Sequence, residues 1–343
     1  MIIRSKAPFR LGLAGGGTDV SPYSDKYGGA ILNATINLFA RTTIQPLNPE
    51  ENTIFFKNAD SNKAYEFTAE SKLALNGEID LQIGVYNRIV KDFNNGKPLN
   101  FQMTTSMDVP TGSGLGTSST LVVSILGAFV EWLQLPLGEY DIAKLAYDIE
   151  RNDLKMAGGK QDQYAATFGG VNFMEFYGDR VVVNPLRIKK SFLHEIAFDL
   201  ILYYTKTSRE SAKIIEKQIE NVKKSDEKPI EAMHALKKHA FEMKEAFLRS
   251  EVKNIGAVLH ESWLNKKQMA TGITNSTIDH IYQTAINAGA IGGKISGAGG
   301  GGFMMFFAEK ANRYPVVKAL EDLGGEVKQY EFTNSGLFTW TLR

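Results

Sequence analysis

From residue 82 to residue 94 the apolar side chains Ile83, Tyr86, Ile89, Val90 and Phe93 recur at steps of three and four, which predicts a helix with one buried face. Ile142, Leu145, Ala146 and Ile149 repeat that spacing and predict a second helix over 140–153. Elsewhere the period drops to two. Thr35, Ile36, Thr42, Thr43 and Ile44 within 34–47, and Phe101, Met103 and Thr105 within 101–107, predict strands. Segments 53–57 and 65–68 read as a hairpin around the turn residues Asn58 to Asn62, and 169–177 with 180–188 as another. An apolar helix over 118–133 follows a glycine-rich loop. Beyond residue 188 a strand over 196–205 leads into helices. The first starts near Thr207, where Thr207 and Glu210 have the form of a capping box. The others cover 229–248, 252–269 and 276–288. Strands at 290–296, 302–308, 326–332 and 337–342 surround a helix at 312–323 that Gly324 and Gly325 stop. Grouped strands and grouped helices indicate an α+β chain rather than a doubly wound sheet. A soft boundary near residue 187 divides it into units 1–187 and 188–343.

Composition narrows the function classes. The 343 residues carry 39 Lys and Arg against 38 Asp and Glu, a formal net charge of +1 with 43% hydrophobic residues. That is globular, and it argues against a surface that coats nucleic acid or a polybasic membrane anchor. Cysteine is absent, which removes thiolate nucleophiles, disulfides and Cys-ligated metals. The five histidines include no H-E-x-x-H. The segment Met1–Pro8 lacks the apolar core of a signal peptide. The longest apolar stretch, 121–130, falls well short of the roughly 20 residues of a membrane span. A cytoplasmic protein without a nucleic-acid or membrane partner is expected; oligomeric state leaves no mark on the pattern.

The chemistry concentrates in three glycine clusters far apart in the chain: Leu13-Ala14-Gly15-Gly16-Gly17-Thr18-Asp19, then Pro110-Thr111-Gly112-Ser113-Gly114-Leu115-Gly116-Thr117-Ser118-Ser119, then Ser296-Gly297-Ala298-Gly299-Gly300-Gly301-Gly302. Glycine lets backbone approach a ligand closely, and successive N–H groups make an anion-binding nest. The second cluster sits between a strand and a helix N-terminus, where free N–H groups and the dipole favour a phosphate chain. A plain N-cap would need only one of its hydroxyls. Walker A is excluded: none of the Gly-Lys pairs at 96, 159 and 293 has the required flanks. Gly297 to Gly302 matches G-x-G-x-x-G formally, but the strand-like Phe303-Met-Met-Phe-Phe follows where that fingerprint needs a helix.

In order and spacing the three clusters resemble the three signature motifs of the GHMP kinases, the superfamily of galactokinase, homoserine kinase, mevalonate kinase and phosphomevalonate kinase. Ala7–Asp19 resembles the first motif, Pro110–Ser119 the second, and Lys294–Gly302 the third. Gly15-Gly16-Gly17 stands where galactokinases have Gly-Glu-His. The run through Gly29 looks most like the D-glycero-D-manno-heptose 7-phosphate kinases of nucleotide-activated heptose synthesis. The resemblance implies a ribosomal-protein-S5-like N-terminal domain and a ferredoxin-like C-terminal domain, with ATP between them and Mg²⁺ as cofactor. It implies phosphorylation of the anomeric hydroxyl of the heptose 7-phosphate. Fucose or galactose are alternative sugars, and a non-catalytic nucleotide or sugar sensor on the same scaffold is the alternative from another class.

The resemblance also implies roles. Gly158-Gly-Lys160-Gln161-Asp162-Gln163 matches the stretch holding the catalytic aspartate, so Asp162 is the base, although an Asp capping the next turn would look the same. Arg10 aligns with the first motif's cation and would stabilise the transferring phosphoryl group. The second cluster, Pro110 to Ser119, would bind ATP. Thr117, with Ser118 as second choice, would contact Mg²⁺ together with Glu150, which reads equally as an ordinary helix-face glutamate. Gly16, Gly17, Thr18 and Asp19 with Ser296, Gly297, Ala298 and Gly299 would line the sugar site. Lys160 and Arg209 would meet its phosphate. Lys213, one turn after Arg209, also fits a solvated face. For the adenine, the hairpin at 55–58 and the helix at 83–90 are both candidates.

Overall fold

The computed structural model describes residues 1–207 and 211–343. The first half runs β1 (Ile2–Ala14), α1 (Tyr23–Tyr27), β2 (Gly29–Pro46), β3 (Thr53–Asn58), β4 (Lys63–Thr68), α2 (Asp80–Phe93), β5 (Phe101–Met107), α3 (Thr117–Leu133), α4 (Glu139–Asp148), α5 (Gln161–Phe168), β6 (Val171–Phe176) and β7 (Val181–Pro185). One π-helical turn, Ile149–Asp153, extends α4. The second half runs α6 (Lys190–Asp199), β8 (Leu200–Tyr204), α7 (Ser211–Lys223), α8 (Glu227–Arg249), α9 (Val252–Met269), α10 (Ser276–Asn287), β9 (Gly292–Ile295), β10 (Phe303–Phe307), α11 (Arg313–Glu321), β11 (Glu326–Lys328) and β12 (Phe338–Leu342). No described helix is long and apolar enough to cross a membrane.

Two sheets result. The larger has the order β12-β1-β2-β5-β3-β4, with β6 on β2 and β7 on β6; the smaller has the order β11-β8-β10-β9. Pairing is antiparallel except between β3 and β5. The all-apolar β10 is explained by burial on both faces. Phe303, Met305 and Phe307 join the core of the large sheet, and Met304 and Phe306 join a second core with Ile281, Val316 and Leu320 from α10 and α11. Leu200 and Leu202 against Ile201 and Tyr203 repeat the division in β8. The small sheet is therefore welded to the large one rather than hung from it.

The structure corrects the expected strand over 196–205: it begins only at Leu200. Its first residues belong to α6, whose Phe192 and Ile196, one turn apart, are buried. The last strand lies where it was expected, but in the sheet of the first half. β12 pairs antiparallel with β1, Ile2 opposite Leu342, so the stretch 188–343 feeds both sheets. Phe332 bridges to Ile36 on the way. Arg209 and the Glu210 half of the proposed capping box lie outside the described residues.

Candidate active site

The second glycine cluster links β5 to α3. Gly112, Gly114 and Gly116 all have positive φ, at 74°, 87° and 79°, which accounts for their alternation. No side chain caps the N-terminus of α3. Its N–H groups and dipole are left for a ligand, and a simple N-cap does not explain the clustered hydroxyls. Thr117 Oγ1 accepts from the Gly112 N–H at 3.2 Å and pins the loop.

The second and third clusters touch, and the first lines a pocket together with the third. A Cβ on Gly114 would stand 2.6 Å from the Ser296 carbonyl oxygen, and one on Gly297 would stand 2.7 Å from the Gly114 oxygen. Ser296 Oγ donates to the Gly114 carbonyl at 3.0 Å. Arg10 reaches from β1 to donate through Nη1 to that same carbonyl at 2.8 Å and through Nε to Asp162 Oδ1 at 2.7 Å. Asp162 sits in the first turn of α5, and a Cβ on Gly116 would come within 2.9 Å of its carboxyl carbon.

Three connected cavities surround this contact. A cleft of about 450 Å³ follows the second cluster, lined among others by Thr111, Gly112, Gly114, Gly116, Thr117, Ser118, Ser119, Glu150 and Asp162. It opens at Thr111, Thr117 and Ser118 onto a space of about 340 Å³ bordered by Asn58 of β3 and Leu81 and Gln82 of α2. Of the two adenine candidates, the hairpin at 55–58 borders this cavity through Asn58, whereas the helix at 83–90 does not and α2 lines it with its first turn instead. On the other side of Asp162 lies a pocket of about 70 Å³ lined by Arg10, Gly12, Gly16, Gly17, Asp19, Gln161, Gln218, Lys266, Lys294, Gly297 and Ala298. Arg10 and Asp162 border both the cleft and this pocket.

Asp19 is buried at the pocket floor. Its Oδ2 accepts from the Gln161 N–H at 3.0 Å and its Oδ1 from the Gly17 N–H at 3.3 Å. Burial pushes its carboxyl above the ordinary value, and the Gln161 hydrogen bond opposes that. Glu150 is wholly buried at the cleft wall, and burial pushes it up as well. Gln163 Nε2 donates to its Oε2 and to Ser119 Oγ. Glu150 Oε1 has no hydrogen-bond partner, and Arg151 Nη1 stands 3.8 Å away. An orphaned carboxylate oxygen beside the hydroxyls of Thr117, Ser118 and Ser119 is a hard-oxygen donor set that fits Mg²⁺, which needs few protein ligands when phosphates and waters complete its shell. No cluster of three acidic or histidine ligands occurs among the described residues.

Other residues singled out above sit elsewhere. Lys160 is buried away from these cavities; its ammonium donates to the Tyr177 carbonyl at 2.8 Å and lies 3.3 Å from Asp25 Oδ1. Its charge is neutralised within the protein, which corrects its assignment to substrate phosphate. Thr18 donates to the Gly15 and Ala30 carbonyls and holds the first cluster in shape from behind. Ser113 and Leu115 are buried within the second cluster and, like the exposed Pro110, do not line the cleft. Gly299 packs on Ile273. Lys266, Gln218 and Gln161 escape a sequence reading, because a polar residue on an amphipathic helix looks solvated. Lys294 carried one signal, its place in a strand just before the third cluster. Its ammonium donates to the Gly12 carbonyl at 2.8 Å.

Family models match in two places: "GHMP kinases N terminal domain" over residues 80–170 and "GHMP kinases C terminal" over 243–325. A relative from Campylobacter jejuni, named D-glycero-alpha-D-manno-heptose 7-phosphate kinase, is 50% identical over 99% of both chains. The chain belongs to the GHMP kinase family. A solved structure described as a D-glycero-D-manno-heptose 1-phosphate kinase from Bacteroides thetaiotaomicron superposes on this GHMP kinase with a TM-score of 0.85, at 44% identity and 99% coverage of both chains. A Bacteroides fragilis relative named L-fucokinase/L-fucose-1-P guanylyltransferase is 26% identical over 90% of this chain and 35% of its own length. The fold is thus shared with the solved structure along 99% of the chain.

Proposed function

We propose that this kinase transfers the γ-phosphoryl group of ATP to the anomeric hydroxyl of D-glycero-D-manno-heptose 7-phosphate, giving the 1,7-bisphosphate. The observation that carries the reading is the Arg10–Asp162 pair, 2.7 Å apart where a phosphate-sized cleft meets a carboxylate-floored pocket. The second cluster's N–H groups cradle the phosphate chain, with adenine in the space beside Asn58 and Leu81. Mg²⁺, held by Glu150 and a loop hydroxyl with Thr117 first, would neutralise charge on the phosphates. Asp19 accepts hydrogen bonds from ring hydroxyls. Asp162 takes the proton of the anomeric hydroxyl as its oxygen bonds to the γ-phosphorus, the bond from that phosphorus to the bridging oxygen breaks, and ADP departs. Arg10 meets the negative charge on the transferring group. Identity of 50% to a relative named for heptose 7-phosphate, against 26% to the fucokinase, supports the heptose over fucose or galactose.

The test is turnover with ATP and Mg²⁺ against heptose 7-phosphate, the unphosphorylated heptose, fucose and galactose, with the product mapped by phosphorus NMR. An anomeric phosphate formed from heptose 7-phosphate is expected. Efficient phosphorylation of fucose or galactose with none of the heptose would replace the substrate, and ATP left intact with every sugar would point to a sensor.

A further inference from the structure

Three cations border the sugar pocket, and only two of them are satisfied by the protein. Arg10 is held by Asp162 and the Gly114 carbonyl, and Lys294 by the Gly12 carbonyl. Lys266 of α9 is 3% exposed, and its ammonium has no hydrogen bond or ion pair among the described residues. Gln218 of α7, also 3% exposed, has no hydrogen bond to its side-chain amide among them either. Both tips converge on the first glycine cluster: a Cβ on Gly16 would stand 3.9 Å from Lys266 Nζ, and one on Gly17 would stand 3.7 Å from Gln218 Oε1. A buried ammonium without a partner is costly in the empty protein, and the cost is recovered when an anion arrives. Burial and the nearby Arg10 hold the Lys266 ammonium down to about 8, in keeping with that missing partner. Asp19 and Asp162 are the carboxylates of this pocket, and burial together with Lys266 and Arg10 holds the Lys294 ammonium well below the ordinary lysine value.

The placement of these two side chains, Lys266 and Gln218, favours an anion other than the phosphate chain in the cleft. Lys266 and Gln218 line the small pocket and not the cleft along the second cluster. They approach from helices of the second half, across the pocket from Asp19. We propose that Lys266, assisted by Gln218, binds the phosphate ester the sugar already carries and so sets the preference for phosphorylated over unphosphorylated sugar. The proposal rests on the sugar-phosphate kinase reading above. It gives the phosphate a partner within the described residues, where Lys160 is already spent.

Lys266→Met and Lys266→Arg test it, by steady-state kinetics with heptose 7-phosphate and the unphosphorylated heptose and by calorimetric binding of heptose 7-phosphate. Methionine keeps the stem's shape and relieves the buried charge, so the variant stays folded by thermal unfolding. The KM and Kd for heptose 7-phosphate rise about 10- to 100-fold in the methionine variant, while the KM for ATP and that for the unphosphorylated heptose stay within about twofold; arginine restores part of the loss. Unchanged affinity for heptose 7-phosphate, or equal loss with both sugars, overturns the role of Lys266 while wild-type turnover leaves the kinase reading standing. Wild-type protein that binds heptose 7-phosphate through Lys266 but does not phosphorylate it overturns the activity reading and leaves the phosphate site intact.

Discussion

The two cavities that meet at Asp162 are built from different materials. The cleft along Gly112–Gly116 is mostly backbone: glycines at positive φ, an uncapped helix end, and hydroxyls that grip the loop or wait at its mouth. The pocket beyond sets buried charges among its glycines: Asp19, Arg10, Lys266 and Lys294 brought together from β1, the loop after it, α9 and β9. A backbone site tolerates many ligands that share a phosphate chain. A site of buried charges is costly when empty and selective when filled, because each charge must find its opposite. The common cosubstrate and the particular sugar call for those two constructions in that order.

The largest effect is expected where the cavities join. Asp162→Asn should lower kcat by about 10²- to 10⁴-fold with ATP and sugar-phosphate binding nearly intact, since a base common to neither ground state is lost. Near-wild-type turnover would dissociate the junction from the chemistry. Gly114→Val strikes the backbone cavity first and reaches the pocket only through Arg10 and Gly297, which rest on the same residue. With φ at 87° and a Cβ 2.6 Å from the Ser296 oxygen, valine must displace the loop. ATP affinity should fall about tenfold or more by calorimetry, with a smaller change for the sugar phosphate. Equal effects on both ligands would erase the distinction between the cavities.

Acidity probes the charged cavity. The Lys266 ammonium, facing Arg10 on β1, Asp19 on the loop, Asp162 on α5 and Lys294 on β9, loses its proton near pH 8. Below that pH it is positive and holds a phosphate dianion; above it the charge is gone. The KM for heptose 7-phosphate should therefore rise above about pH 8, by up to about tenfold per pH unit, and Lys266→Met should lack that limb. A limb that survives the substitution belongs to another group. The smallest catalytic effect is expected for Lys160→Met. It strands the Tyr177 carbonyl and removes the cation beside Asp25, lowering thermal stability by about 1–3 kcal/mol, yet both KM values should stay within about twofold. A large rise in the sugar-phosphate KM would return Lys160 to the substrate.

This contrast also explains what could be read from the chain beforehand. Local rules wrote β5 and α9, whose limits at 101–107 and 252–269 follow from period alone. The backbone cavity was legible because positive φ demands glycine at fixed spacing. The charged pocket was not, since Lys266 lies beside Lys267 on an amphipathic helix and gains its meaning only when Gly16 is brought within reach. Lys160 misled for the reverse reason: beside Asp162 in sequence, it turns to Asp25 instead. The strand expected at 196–205 failed because an apolar run broken only at Asp199 hid the i, i+4 step from Phe192 to Ile196. The seating of β12 on β1 depends on partners hundreds of residues apart, beyond the range of any periodic signal.

That distant partnership bears on how the protein is made. The strand that carries Arg10 is translated long before residues 338–342, and the flank of its residues 2–6 stays open until they follow. Throughout elongation a row of unsatisfied amide and carbonyl groups on β1 is available to neighbouring nascent chains or to chaperones. Closing that flank is a long-range event, slow by its sequence separation.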